Sequence, residues 1–295
     1  MSPTRTGAWV AAIRPKTLPV GAAPILVGCG FAWRYDVFDP LPALAALFGA
    51  LLIQIGTNLS NDYYDHKRGA DNAQRTGPAR ASASGWIQPN TVLGAAVAAF
   101  ALSTVLGLYL VYVAGWPILV VGIVSILGGY LYTGGPYPLG YHGWGDLFVF
   151  VFFGIVATTG TYYVQDQSIP HGVLLGGAAM GFLATAVLAV NNLRDIDTDR
   201  AAGKRTLAVK IGRRATQIEF GALLILAFAI PIIPVAQGRL PWMFALPGAT
   251  LPIALYLAHQ VYHHPEPQNL NRVLAGTGLL TFLFGALFAI GAALA

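Results

Sequence analysis

A single cysteine, Cys29, rules out an intramolecular disulfide in this chain of 295 residues and leaves its redox compartment unread. Charge is equally scarce: 10% of residues are Asp, Glu, Lys or Arg, 56% are hydrophobic, and the mean hydropathy is +0.62. So few charges exclude a soluble domain of this length, whose surface would need many more. No soluble appendage or low-complexity linker interrupts the chain, so residues 1–295 read as one domain. The sequence holds neither a P-loop pattern nor a dinucleotide fingerprint, which makes a nucleotide a poor fit. Its basic loops have no interleaved aromatics and no binding module beside them, so no nucleic acid is expected as a partner. His259, His263 and His264 have no matching acidic partner and make no convincing zinc site. No removable signal is expected either, because "IRPK" at 13–16 breaks the first apolar stretch and the next run continues into a full span.

What the chain has instead is long apolar runs. Segments such as 91–113, 171–190, 221–236 and 273–295 approach the roughly 20 residues that cross a hydrocarbon core. Pro and Gly interrupt some of them, which membrane helices tolerate. Nine spans are predicted, at 17–34, 41–65, 91–113, 117–133, 144–163, 171–193, 216–236, 240–262 and 269–294, so the expected fold is all-α and polytopic. With the N-terminus inside, 15 of the 17 basic residues fall on the inner side, and only Arg34 and Arg239 lie outside. The net charge of +5 is therefore a one-sided field that sets topology and attracts anionic membrane lipid.

Two inner loops, 66–90 and 194–215, carry 11 of the 17 basic residues. Each follows a span that ends in an Asn/Asp cluster, and Asp62 and Asp195 are four spans apart. This spacing predicts a parallel internal repeat with both clusters facing one cavity. At about 100° per residue, Asn58, Asn61, Asp62 and Asp65 share one helix face, and Asp71 follows the helix stop at Gly69. The same wheel puts Asn192, Asp195 and Asp199 together and turns Asp197 away. Six of the twelve acidic residues sit in these clusters, at a depth where each unpaired carboxylate costs about 2.5 kcal/mol or more. Salt bridges to the adjoining loops could hold any single one. Two clusters of like charge need a cation among them, and hard oxygen donors suit Mg²⁺. Neighbouring Lys and Arg point to an anion as well, so a metal-bridged diphosphate reconciles the set.

These residues are similar to a known pattern. "NDYYDHKRGAD" at 61–71 and "NNLRDIDTDRAAGKRTLAVKIG" at 191–212 resemble the paired motifs of the UbiA superfamily of intramembrane aromatic prenyltransferases, and the resemblance covers nearly the whole chain. It implies nine transmembrane helices around a central cavity, two Mg²⁺ ions, and prenyl transfer from a polyprenyl diphosphate to an aromatic acceptor. "RPKTLP" at 14–19, "DHKRGAD", "GPAR" at 77–80 and "NNLRDIDTDRAAGK" look closest to the branch that prenylates 1,4-dihydroxy-2-naphthoate in menaquinone synthesis. 4-Hydroxybenzoate and homogentisate are the alternative acceptors. The expected metal ligands are Asn58, Asp62, Asp65, Asp71, Asn192, Asp195 and Asp199, with Asp62, Asp195 and Asp199 nearest the chemistry. Tyr132 is expected to stabilise an allylic cation with its ring face, whereas Tyr130, Tyr137 and Tyr141 read as interfacial anchors. The loop at 132–146 lacks the basic residue many relatives carry, so the substrate contacts are expected from Arg14, Lys16, Asn61, Lys67, Arg68, Arg80, Lys204 and Arg205. The expected place is the cytoplasmic membrane, with the N-terminus and both motifs on the cytoplasmic side. A cation-coupled transporter would put its carboxylates near the bilayer midplane, and a CDP-alcohol phosphotransferase would need an Asp-Gly-x-x-Ala-Arg signature that is absent.

Overall fold

Proline and glycine set the helix boundaries. Pro40, Pro89 and Pro267 stand in first turns, where a missing N–H costs nothing, and Asp39 accepts a hydrogen bond from the Leu41 N–H at 2.9 Å. Gly69, Gly115 and Gly212 sit at positive φ where helices stop or chains turn. The computed structural model describes residues 3–71 and 76–295. Among them there is helix and no strand: α1 (Arg5–Ile13), α2 (Leu18–Arg34), α3 (Pro40–Lys67), α4 (Pro89–Ala114), α5 (Trp116–Leu131), α6 (Gly145–Phe150), α7 (Ala157–Asp166), α8 (His171–Arg194), α9 (Ile196–Ala201), α10 (Leu207–Ile211), α11 (Arg213–Ala236), α12 (Leu251–His263) and α13 (Pro267–Leu294).

Eight helical segments among the described residues are long and apolar enough to cross a membrane, and this is an integral membrane protein. The ninth expected span is present as α5, whose 16 residues rise about 24 Å, less than the roughly 30 Å of a hydrocarbon core. Gly115 starts α5 and the run "TGGPYPLG" follows its end, so the chain itself limits its length. Helices α6 and α7 are continuous through a π-helical turn at Val151–Val156. There a Cβ on Gly154 would land on the backbone of Gly181 in α8, and one on Gly181 would meet the carbonyl and ring of Phe150, so neither position has room for a side chain.

Helix α8 is central: 67% of its apolar window is buried, against 28–44% for the other spans. Its Met180, Leu183 and Val190 pack with Phe31 of α2, Phe220 of α11 and Phe284 of α13 in the main apolar core. The opposite half, α3 to α5, turns Val105, Tyr112 and Ile123 outward. Between α3, α4, α5 and the α6–α7 rod it leaves an apolar cavity of about 360 Å³. A smaller cavity of about 210 Å³, lined by polar and charged groups, lies between the ends of α3 and α8. Thr17, Gln54, Asn61, Tyr132, Val149 and Phe153 line both, so the two spaces meet.

Candidate active site between two acidic clusters

The polar cavity collects side chains from four places in the chain. Arg14 enters from the turn between α1 and α2, where its backbone adopts φ 59. Asn61 and Asp65 come from the last turns of α3. Tyr132, Thr133 and Tyr141 come from the α5–α6 connection, and Asn192, Asp195, Asp199 and Lys204 from the end of α8 and the segment after it.

Asp65 is buried, yet its carboxylate is surrounded by donors. Tyr141 donates its hydroxyl to Oδ1 at 2.7 Å, Lys204 Nζ lies 3.4 Å from the same oxygen, and Arg80 is 3.8 Å from Oδ2. Lys204 Nζ is also 3.7 Å from Asp199 Oδ1 and 4.7 Å from the centre of the Tyr141 ring. One ammonium thus joins a carboxylate of the first cluster to a carboxylate of the second. Burial, then the charge of Asp65 and the hydrogen bond to it, push the Tyr141 phenol well above its ordinary pKa, so it stays a donor. Burial pushes the Tyr132 phenol up too, reinforced by Asp146, Asp65 and Asp199. Thr133 donates to Asn61 Oδ1 at 2.7 Å, which fixes the amide and leaves that oxygen a second lone pair.

Asp195 lies between α8 and α9 and is gripped by its own neighbour. The Arg194 guanidinium bonds both carboxylate oxygens, Nε to Oδ1 at 2.8 Å, and Thr76 donates to Oδ1 at 2.8 Å. The same guanidinium reaches Asn191 Oδ1 at 2.9 Å and Asn271 Oδ1 on α13 at 3.0 Å. Asn271 in turn donates to the Thr76 carbonyl at 3.1 Å, which ties the loop after α3 to the second cluster. Asp197 is 75% exposed at its side chain and pairs with Arg200 and Arg213, on the side away from the cavity.

Several expected site residues are elsewhere. Asp62 does not line the cavity with Asp65: it is fully buried and accepts the backbone N–H groups of Ala81 at 3.0 Å and Ser82 at 2.9 Å. The reason is that the loop after α3 folds back onto that side of the helix and takes the carboxylate as its anchor. Asn58 spends its amide N–H groups on the Ile13 carbonyl and the Thr17 hydroxyl, which holds the turn before α2. Asp71 folds back after Gly69 as expected, but lies 3.3 Å from Arg80 Nε and outside the cavity lining. Lys16, Lys67, Arg68 and Arg205 are exposed and do not line the cavity. Arg68 bonds the Gly135 carbonyl instead, and Lys67 sits over the Tyr63 ring. Among the described residues no three carboxylate, histidine or cysteine side chains converge by themselves. Arg80, Arg194 and Lys204 are interleaved with the acids, which is how like charges become tolerable at this depth.

Sequence reasoning missed Tyr141, Thr133, Arg194, Thr76 and Asn271. Arg194 was the most legible, since it directly precedes Asp195. Tyr141 had no sequence signal to separate it from an interfacial anchor.

The profile of the UbiA prenyltransferase family matches residues 22–283. The chain belongs to the UbiA prenyltransferase family. It is 38% identical to the 1,4-dihydroxy-2-naphthoate octaprenyltransferase of Escherichia coli (strain K12), over 98% of this chain and 96% of that one. It is 40% identical to the protein of the same name from Mycobacterium tuberculosis, over 96% of each. The fold matches a solved UbiA homolog from Archaeoglobus fulgidus bound to GPP and Mg²⁺, with a TM-score of 0.68, 17% identity, and coverage of 98% of this chain and 100% of that one. In this UbiA-family chain, the carboxylate that leaves the cavity makes a distinct prediction. Asp62→Asn turns an amide N–H toward one of two buried backbone donors, at a cost of about 1–3 kcal/mol. We expect a lower unfolding temperature, faster proteolysis near Ala81 and Ser82, and unchanged metal affinity. Calorimetric metal titration beside a thermal melt checks this. Lost metal binding at an unchanged unfolding temperature would return Asp62 to the metal site.

Proposed function

We propose that this protein transfers a long-chain prenyl group from a polyprenyl diphosphate to 1,4-dihydroxy-2-naphthoate, with loss of carbon dioxide, giving demethylmenaquinol, the quinol form of demethylmenaquinone. The observation that carries the reading is the single ammonium of Lys204 held between Asp65 and Asp199, in a polar cavity that continues into an apolar one. Opposed carboxylates that share a cation, with the carbonyls of Asn61 and Asn192 beside them, form a hard donor set that fits Mg²⁺. Asn61 and Asp65 on one side, and Asn192, Asp195 and Asp199 on the other, would hold two ions. When bound, they supply positive charge where the departing diphosphate becomes negative. The acceptor assignment is supported by the names of the relatives.

The chain's own residues then have separable tasks. Lys204, Arg80 and Arg14 present cations to the diphosphate within the polar cavity. The apolar cavity takes the prenyl chain and excludes water from the reacting carbon. Tyr132 lines the junction, and its ring face stabilises an allylic cation by about 2 kcal/mol when water is absent. The C–O bond to the diphosphate breaks and its electron pair leaves with the diphosphate. The ring carbon bearing the carboxylate forms the new C–C bond, and the bond to the carboxylate returns its electrons to the ring as carbon dioxide departs. No side chain has to remove a proton. The protein sits in the cytoplasmic membrane with its N-terminus and both clusters on the cytoplasmic face, in keeping with the one-sided basic charge.

The test is a product mass spectrum. Purified protein with Mg²⁺ and a long-chain prenyl diphosphate is given 1,4-dihydroxy-2-naphthoate, 4-hydroxybenzoate and homogentisate in competition. We expect the decarboxylated naphthoquinol adduct to dominate. Preferential prenylation of either benzenoid acceptor overturns the acceptor assignment, and no prenylated product from any acceptor overturns the whole reading.

A further inference from the structure

Three cations stand among the acids, and they are not held alike. Arg194 is buried and spends its guanidinium on four hydrogen bonds, two of them to Asp195. Arg80 is buried and shared between Asp71, at 3.3 Å, and Asp65, so it serves the first cluster. Lys204 touches both clusters and holds neither tightly: its ammonium is 3.4 Å from Asp65 Oδ1 and 3.7 Å from Asp199 Oδ1, beyond the roughly 2.7–2.9 Å of a charge-assisted hydrogen bond. Its side chain is 14% exposed and lines the polar cavity, so it faces open space.

The two carboxylates that Lys204 touches are among those proposed to hold the metal. Mg²⁺ takes its oxygens at about 2 Å and carries two charges, so an ammonium and a divalent ion on the same carboxylates repel and exclude each other. The ammonium has somewhere to go. Its backbone is fixed, because the Lys204 N–H donates to the Asp199 carbonyl at 2.9 Å and the Arg205 N–H to the Tyr141 carbonyl at 2.8 Å. From that base a flexible four-carbon stem reaches either the carboxylates or the face of the Tyr141 ring, whose centre is 4.7 Å from Nζ. Tyr141 itself stays in place through its hydrogen bond to Asp65. An anionic diphosphate in the same cavity gives the ammonium a further and stronger partner.

We infer that Lys204 is a tethered stand-in for the metal: its ammonium competes with Mg²⁺ for Asp65 and Asp199 until a prenyl diphosphate draws it away, so metal and diphosphate bind cooperatively. This rests on the proposed Mg²⁺-dependent prenyl transfer. The coupling runs both ways, since whatever the diphosphate adds to metal affinity the metal must add to diphosphate affinity. A lysine that merely held the clusters together would have the opposite signature: without it the carboxylates repel one another and metal binding weakens.

Lys204→Met keeps an unbranched stem and removes the charge. Mn²⁺, which like Mg²⁺ takes octahedral oxygen sites, is titrated into purified protein in detergent and followed by electron paramagnetic resonance, first alone and then with a prenyl diphosphate. Without the diphosphate, we expect Lys204→Met to bind Mn²⁺ about ten- to a hundredfold more tightly than the parent. With it that advantage disappears, and the variant binds the prenyl diphosphate more weakly than the parent. Lys210→Met is the control for losing one inner charge: its ammonium bonds the His142 carbonyl at 2.6 Å and does not line the cavity, so Mn²⁺ affinity stays parental. Unchanged or weaker binding of Mn²⁺ alone by Lys204→Met, or an equal gain from Lys210→Met, overturns the inference. So does a Lys204→Met protein that stays unfolded with Mn²⁺ present, because the metal then fails to replace the missing charge. A parent that forms no prenylated product overturns the proposed function, while the Mn²⁺ comparison still decides the role of Lys204.

Discussion

Asp65→Asn and Asp199→Asn each lower turnover by about a hundred- to a thousandfold, the scale of losing one group that stabilises charge developing in a transition state. The two residues belong to different ends of the chain's topology, α3 and α9, yet both lie within 4 Å of the same Lys204 ammonium. Each substitution removes one negative charge from a place where a cation must bridge to diphosphate, and each keeps the side chain's size. The bundle therefore stays folded, and the loss appears in turnover and in metal affinity. Asp197→Asn is the control: its side chain is 75% exposed, pairs with Arg200 and Arg213, and should leave both quantities unchanged. Steady-state rates at saturating substrates, with a Mg²⁺ titration for each variant, make the measurement. Near-parental turnover from both Asp65→Asn and Asp199→Asn would remove the basis for placing the reaction between the two clusters.

Arg194→Ala produces the largest loss of stability, about 3–5 kcal/mol, because it strands a buried carboxylate without its counter-charge. The guanidinium is buried and makes four hydrogen bonds to three residues, Asp195, Asn191 and Asn271. Lysine cannot replace it, since one ammonium cannot bond both carboxylate oxygens and reach α13 as well. Arg194→Lys should thus behave nearly as badly as Arg194→Ala. Combining Arg194→Ala with Asp195→Asn should recover part of the stability, because the stranded charge is gone, while activity stays lost. Unfolding of the four proteins in detergent forms the thermodynamic cycle. If Arg194→Ala melts within about 1 kcal/mol of the parent, the range of an exposed ion pair, the grip on Asp195 is not structural.

The rest of the site divides by how local its cause is. Asn61 and Asp65 were legible from helix periodicity, as was the outward turn of Asp197, because a helix assigns each residue a direction regardless of what surrounds it. Asp62 shows the limit. It is only about 60° of arc from Asp65's side of the wheel, and the difference between cavity and loop anchor came from the segment at Ala81 and Ser82 returning to that flank. Arg14, Arg80 and Lys204 were named among eight candidates, but nothing local separated them from Lys16, Lys67, Arg68 and Arg205, which the chain's turns leave exposed. Gln54 was hidden in an apolar run, although it continues the same stripe as Asn58, Asn61 and Asp65.

By itself the sequence determined the class of the molecule, its helices and the two motifs that bear the chemistry. Each of these follows from a run of neighbouring residues: hydropathy over about 20 positions, helix stops at Gly and Pro, and acids spaced to one face. Only the tertiary structure decided which acids meet across the cavity and which cation lies between them. Those outcomes depend on groups far apart in the chain. Lys204 reaches Asp65 only because the ends of α3 and α8 face one polar cavity, and Arg194 reaches Asn271 only because α13 returns past α8. Electrostatic pairing at a few ångströms is decided by packing, and packing is a property of the whole bundle.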